Sequence, residues 1–159
     1  MTGGDTLSFR YAGEEDIPAI VKLLADDGLG KTRERPGEPL DPKYLEGFRA
    51  MTAQGGNQTL LAIKDREVVG CLQLTFIAGL SRLGTLRAQI EAVRVRGDQR
   101  GSGVGRLLME EALKRAREAG CSLVQLTTDK QRGDAHRFYE SLGFKASHIG
   151  MKLELKSED

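Results

Sequence analysis

Val93-Arg94-Val95-Arg96-Gly97-Asp98-Gln99-Arg100-Gly101-Ser102-Gly103-Val104-Gly105-Arg106-Leu107-Leu108 reads as a strand end, a glycine-rich turn and a helix start. Backbone N–H groups that open a helix have no carbonyl one turn back, and they carry the positive end of its dipole. Such a junction is an anion site, and glycines let the backbone approach the ligand closely. Two phosphate loops fail on spacing. A Walker loop needs Gly-Lys-Ser/Thr at its end, whereas Gly105 precedes Arg106-Leu107. A dinucleotide fingerprint needs GxGxxG, and Gly101-Ser102-Gly103 is followed by Val104-Gly105-Arg106, one residue out of register.

Working outward, Gly103 to Ala119 is an amphipathic helix with Val104, Leu108, Ala112 and Ala116 in one stripe, stopped by Gly120. Leu123 to Thr128 is a short buried strand. Ala135, Phe138, Tyr139 and Leu142 mark a last helix closed by Gly143, and the alternation from Ile149 to Leu155 predicts a closing strand. Upstream, Leu86 to Val95 is a strand. Thr59 to Lys64 and Val68 to Ile77 form a hairpin around Lys64-Asp65-Arg66-Glu67. Gly55-Gly56-Asn57 ends a helix from Pro42 to Ala53. Asp26 to Pro42, rich in glycine, proline and charge, is a loop. Glu14-Glu15-Asp16 opens a helix carrying Ile17, Ile20, Val21 and Leu24, after a strand from Thr6 to Ala12. The order β-α-α-β-β-β-α-β-α-β predicts an α+β fold in a single domain over 1–159, with one mixed sheet flanked by helices.

The 159 residues carry 24 basic against 23 acidic side chains, a net charge of +1. Basic and acidic residues alternate, so no basic segment suits a nucleic-acid partner. No apolar run is long enough to span a bilayer. Met1-Thr2-Gly3-Gly4-Asp5 has neither the order of a signal peptide nor a glycine at position two. Cys71 and Cys121 lack CxxC spacing and read as reduced core residues, with no metal site expected. A cytoplasmic protein is the expectation.

Arg100-Gly101-Ser102-Gly103-Val104-Gly105 matches the pattern Gln/Arg-x-x-Gly-x-Gly/Ala. With the helix start Glu14-Glu15-Asp16-Ile17, the strand Arg66-Glu67-Val68-Val69-Gly70 and the segment Arg137-Phe138-Tyr139-Glu140-Ser141-Leu142-Gly143-Phe144, the chain resembles the GNAT superfamily of N-acetyltransferases. The resemblance implies that family's acyl-CoA fold, with a mostly antiparallel central sheet. It also implies acetyl-CoA as cosubstrate and direct transfer to a primary amine of a small molecule in a ternary complex. Backbone groups of Val93 and Val95 would pair with the pantetheine arm, the Val93 N–H lying near the thioester oxygen. Arg100, Gly101, Ser102, Gly103, Val104, Gly105 and Arg106 would hold the pyrophosphate. Arg132 stands where many members have an asparagine against CoA, and can meet a phosphate instead. Pairing of such domains is common, so a homodimer is implied.

Acetyl transfer makes three demands: an amine that has lost its proton, a polarised thioester carbonyl, and a stabilised leaving thiolate. The resemblance nominates Tyr139 for the last, as general acid; the alternative is a core role on the face of Ala135 and Leu142. Glu91, in the apolar strand Ala88-Gln89-Ile90-Glu91-Ala92-Val93-Arg94-Val95, is the candidate base. Strand alternation, apart from any bulge, sets Glu91, Val93 and Val95 on one face, and partial burial would raise its pKa. The alternative is a structural glutamate paired with Arg94 or Arg87. His136 and His148 are further titratable candidates. The stretch Asp129 to His148 looks like the aminoalkylphosphonate N-acetyltransferase branch. Acceptor choice falls to the loops Gly28 to Leu40 and Gly79 to Arg87. Lys31, Arg33, Arg35, Arg82 and Arg87 suit an anionic acceptor; Asp26, Asp27, Glu34 and Glu38 would suit a polyamine. Transfer to a protein amine, or a non-catalytic acyl-CoA-binding regulatory module, are the alternative functions.

Overall fold

The computed structural model describes residues 6–156; the expectations attached to Met1–Asp5 lie outside them. Five strands, β1 (Ser8–Tyr11), β2 (Asn57–Lys64), β3 (Glu67–Ile77), β4 (Arg87–Val95) and β5 (Leu123–Leu126), lie side by side in chain order. The first three junctions are antiparallel and β4–β5 is parallel, which is the mixed, mostly antiparallel α+β sheet expected. The β2–β3 turn has Asp65 and Arg66 at φ 50 and 66. Two left-handed residues match the twist of the flanking strands, as tight hairpins require.

The helices are α1 (Ile17–Ala25), α2 (Gly30–Arg33), α3 (Pro42–Gln54), the single turn α4 (Ser81–Gly84), α5 (Val104–Glu118) and α6 (Gly133–Ser141). The loop 26–42 therefore contains a short helical turn, whereas in 78–86 the span α4 is a turn whose central residues Arg82 and Leu83 are left-handed, at φ 53 and 60. Sheet alternation sorts the packing. Leu61 and Cys71, opposite each other on β2 and β3, bury against Leu23 of α1. Gly70 points the other way, where an added Cβ would come within 3.4 Å of Leu108 Cδ2 on α5. The stripe read for α5, Val104, Leu108, Ala112 and Ala116, is buried together with Met109. One face of the sheet thus carries α1 and the other α5.

Asp16 fixes the entry to α1. Its carboxylate accepts from Arg10 Nη1 at 2.7 Å and Nη2 at 2.8 Å, and from the Gly13 N–H at 2.8 Å. Hydrogen bonds from Arg10, helped by the Gly13 N–H, hold the Asp16 carboxyl below the usual aspartate range, although burial opposes them. A depressed pKa stabilises the fold above the unfolded value, about 3.9, and that contribution is lost as pH falls through the folded value. Asp16→Asn is expected to cost about 2 kcal/mol at neutral pH, the lower part of the charged-bond range because Arg10 is half exposed. Urea melts of the two proteins should converge below about pH 4; a gap that persists at pH 2 would assign the loss to packing.

Residues up to Leu126 form one compact unit and those from Thr127 another. In the second, the Tyr139 ring lies 5.3 Å from that of Phe138 and 6.0 Å, edge-on, from that of Phe144. The expected closing strand does not form: 149–156 has no regular structure. Ile149, Met151, Leu153 and Leu155 are between 84% and 92% exposed. Alternation marks a segment able to be a strand, but a strand also needs a ladder partner, and none of the sheet's ladders includes these residues.

Candidate active site

β4 is where the sheet departs from regularity. Its pairing with β5 stops at Ile90↔Leu126, yet β4 runs on to Val95. Its pairing with β3 slips by one residue: Gln73 faces Glu91 and Cys71 faces Arg94, so one residue of β3 opposes two of β4. Ala92 absorbs the extra residue in a left-handed conformation, φ 54. Arg96 then donates its N–H to Val69 at 2.8 Å, toward β3. Backbone direction alternates along a strand, so the N–H of Val95, and two residues earlier that of Val93, turn to the edge beyond β5's last pair.

The bulge corrects the expected face. Residues opposite Cys71 and Gln73 share one side of the sheet, so Glu91 sits with Arg94 rather than with Val95. That is the α1 side. Glu91 is exposed, not partly buried as the strand pattern suggested, and its Oε1 accepts from Gln89 Nε2 at 3.1 Å. Arg94 pairs elsewhere. Its Nε lies 3.0 Å from Asp27 Oδ2, an ion contact rather than an aligned hydrogen bond, with both side chains mostly covered. Its Nη1 donates to the Val93 carbonyl at 2.9 Å. Among the described residues no ion pair joins Glu91 to Arg94 or Arg87, the structural alternative for it.

The glycine turn follows directly. Gly97–Gln99 is one 3-10 turn, and Gly101 and Gly103 have φ 78 and 91, conformations that disfavour any side chain. A Cβ at either would meet no atom of the chain within 4 Å, so the approach to the α5 N-terminus is open. Ser102 Oγ donates to the Gln99 carbonyl. Arg100 turns back, donating from Nη2 to the Asp26 carbonyl at 2.9 Å and lying 3.5 Å from its carboxylate. Arg106 pairs with Glu110 one turn along α5. Asp26 and Asp27 are thus matched by arginines, which removes two of the four carboxylates that would suit a polyamine. These links from the end of α1 to β4 and to the glycine turn are the pairings sequence reasoning missed; Arg94 inside an apolar strand was their one signal.

In the second unit, Tyr139 is half-buried between its two aromatic neighbours. Arg132 caps α6, its carbonyl accepting the Ala135 N–H at 3.0 Å. His148 Nδ1 lies 2.7 Å from Ser147 Oγ. Among the described residues no group of His, Cys, Asp and Glu forms a metal site, and no helix is long and apolar enough to cross a membrane.

A bulged strand released from its parallel neighbour, running into a glycine turn at a helix N-terminus, is matched by the model of the Acetyltransferase (GNAT) family over residues 19–144. The chain belongs to the GNAT acetyltransferase family. As an N-acetyltransferase of that family it is an enzyme, and GNAT acetyltransferases use acetyl-CoA as cosubstrate. It is 34% identical over 141 residues to the aminoalkylphosphonate N-acetyltransferase of Salmonella typhimurium, covering 88% of this chain and 86% of that one. It is 29% identical over 157 residues to the glucosamine 6-phosphate N-acetyltransferase of Trypanosoma brucei brucei, covering 98% of this chain and all of the other. A solved structure from Bacillus halodurans C-125, described as a transcriptional regulator, superposes on this GNAT chain with a TM-score of 0.91 at 47% identity. It covers 94% of this chain and the whole of its own.

Proposed function

We propose that this chain, acting as a single GNAT domain, moves an acetyl group from acetyl-CoA to the primary amine of a small molecule, directly and in a ternary complex. The observation that carries the reading is the β4 edge beyond Ile90, whose outward backbone groups lead straight into the glycine turn. Val93 and Val95 would pair with the pantetheine arm as an added strand does. The N–H groups from Arg100 to Arg106 would meet the pyrophosphate, with Arg100 exchanging Asp26 for a phosphate oxygen. Acetyl-CoA supplies a thioester whose carbonyl carbon takes the amine. The Val93 N–H donates to the oxygen on which charge develops, a role worth several kcal/mol. Glu91 takes the amine proton. Tyr139, assigned on the resemblance of the segment Arg137–Phe144, returns a proton to the leaving sulfur. Arg132 is proposed as a further phosphate contact.

Direct transfer is supported by the one thiol beside this stretch. Burial pushes the Cys71 thiol up to about 12, so it stays protonated and is a poor covalent carrier. A cytoplasmic setting suits these two free cysteines. A homodimer is supported by the four exposed apolar residues of 149–155, which need cover that a second copy supplies.

The test is acetyl-CoA with a panel of amines, following thiol release: aminoalkylphosphonates, amino acids, polyamines, aminoglycosides and a lysine peptide. Turnover on a small amine is expected. Silence across the panel with acetyl-CoA still bound would favour the regulatory reading, to which the description of the Bacillus halodurans structure lends weight. Tyr139→Phe keeps the ring between Phe138 and Phe144 and removes only the hydroxyl. It should lower kcat about 100-fold with little change in the KM for acetyl-CoA. A change in KM alone would make Tyr139 a binding residue.

A further inference from the structure

Within the unit that ends at Leu126, a cleft of 210 Å³ opens between α1, α3 and the sheet. Its walls are mostly carbon: Ile20, Val21 and Leu24 from α1, Phe48 and Met51 from α3, with Cys71 from β3. Its inner end reaches Gln73 and Ala92, the bulged residue that precedes Val93. Glu91 lies on the same side of the sheet. An acceptor seated here with its nitrogen toward Ala92 would lie beside the residue that joins the proposed base, Glu91, to Val93.

The polar inventory of the cleft is small and one-sided. Lys43, in the first turn of α3, is the charged residue lining it, and no aspartate or glutamate does. Asp41, just before it, has its carboxylate on the Lys43 N–H at 3.0 Å and on Arg35 at 3.3 Å. The Tyr44 hydroxyl accepts the Arg35 N–H at 2.8 Å, and the Gln73 amide donates to Asn57 Oδ1 at 2.9 Å. A polyamine or an aminoglycoside would bring several ammonium groups to a cleft lined by one cation and no carboxylate, where the proposed base Glu91 can take one of them. An apolar cavity of about 150 Å³ holds benzene, so this one has room for a phenyl ring with a short linker.

We propose that the acceptor is a monoamine with an apolar body, of the bulk of a methionine or phenylalanine side chain, carrying one anionic group held by Lys43. This rests on the transferase reading above and narrows it.

The test uses graded series sharing one amine: 2-aminoalkanoates, the matching 1-aminoalkylphosphonates and uncharged alkylamines, each with a lengthening body. Both kcat/KM and affinity by calorimetry are measured. Each methylene should raise them about fourfold until the cleft is full. The two anionic series should outrun the uncharged one, and which anion leads identifies the group; Lys43→Met should close that gap. Gly47→Leu supplies a second variant. Gly47 lies mid-helix on α3 and lines the cleft, and an added Cβ there meets no atom within 4 Å. Leucine is also the better helix former, so the variant should fold. It should cut the preference for long over short bodies at least tenfold. Turnover indifferent to body length, or a preference for polyamines, would overturn the inference and leave the transferase standing. Affinity that rises along the series without any turnover would sink the transferase reading, and with it the role of acceptor, while leaving the cleft's preference for such a monoamine as a binding property.

Discussion

Gly103→Glu is expected to abolish measurable acetyl-CoA binding while leaving the fold in place. Gly103 is the N-cap of α5 at φ 91, ψ −2. A side chain in that conformation costs about 1–2 kcal/mol, and a carboxylate at a helix N-terminus offsets part of it. Thermal stability should therefore change little. Binding should not survive, because the carboxylate occupies the position proposed for the pyrophosphate and repels it. Loss of two charge-assisted hydrogen bonds, each about 1.5–3 kcal/mol, predicts at least a 100-fold weaker Kd by calorimetry. Gly103→Ala separates the causes: it carries the same backbone strain without the charge, and should lose about tenfold or less. Wild-type affinity in the glutamate variant would remove the glycine turn from the cofactor site.

The readable parts of this chain were those whose cause is local. The hairpin at Asp65-Arg66, the α5 stripe and the left-handed glycines each depend on a few neighbouring residues, and each formed within a residue or two of its expected bounds. The bulge at Ala92 was not readable. It arises from a mismatch in residue count between β3 and β4, and strand alternation read along β4 alone put Glu91 on the wrong face. The cleft was equally hidden, since Ile20, Phe48 and Cys71 come from three elements and read in sequence as ordinary core.

Charge pairing was half legible. The loop carboxylates were visible, but Asp26 and Asp27 meet Arg100 and Arg94 across more than sixty residues of chain. Those contacts bind the end of α1 to the strand and to the glycine turn. If Arg100 passes from Asp26 to a phosphate, cofactor binding loosens one of the two ties on the acceptor loop while Arg94–Asp27 keeps the other. The segment 149–155 marks the opposite limit: its period-two pattern is clear, but a pattern does not supply the neighbouring strand that would satisfy its backbone.

Glu91→Gln is the second large effect, and its pH dependence carries the information. The side chain is exposed and its visible partner is the Gln89 amide, so the isosteric change should leave stability within about 0.5 kcal/mol. Near neutral pH an alkylammonium with a pKa of about 10.4 has almost no free amine, so a positioned base matters most there. Removing it should lower kcat/KM about 100- to 1000-fold at pH 7. The variant then depends on the free amine already present in solution. Its rate should rise about tenfold per pH unit toward 10, and its deficit should shrink accordingly. Direct proton acceptance by Glu91 predicts that converging pair of profiles. A deficit of the same size at every pH would give Glu91 a positioning role through Gln89 and the bulge, and a loss under threefold at pH 7 would move the base to another group on that face of β4.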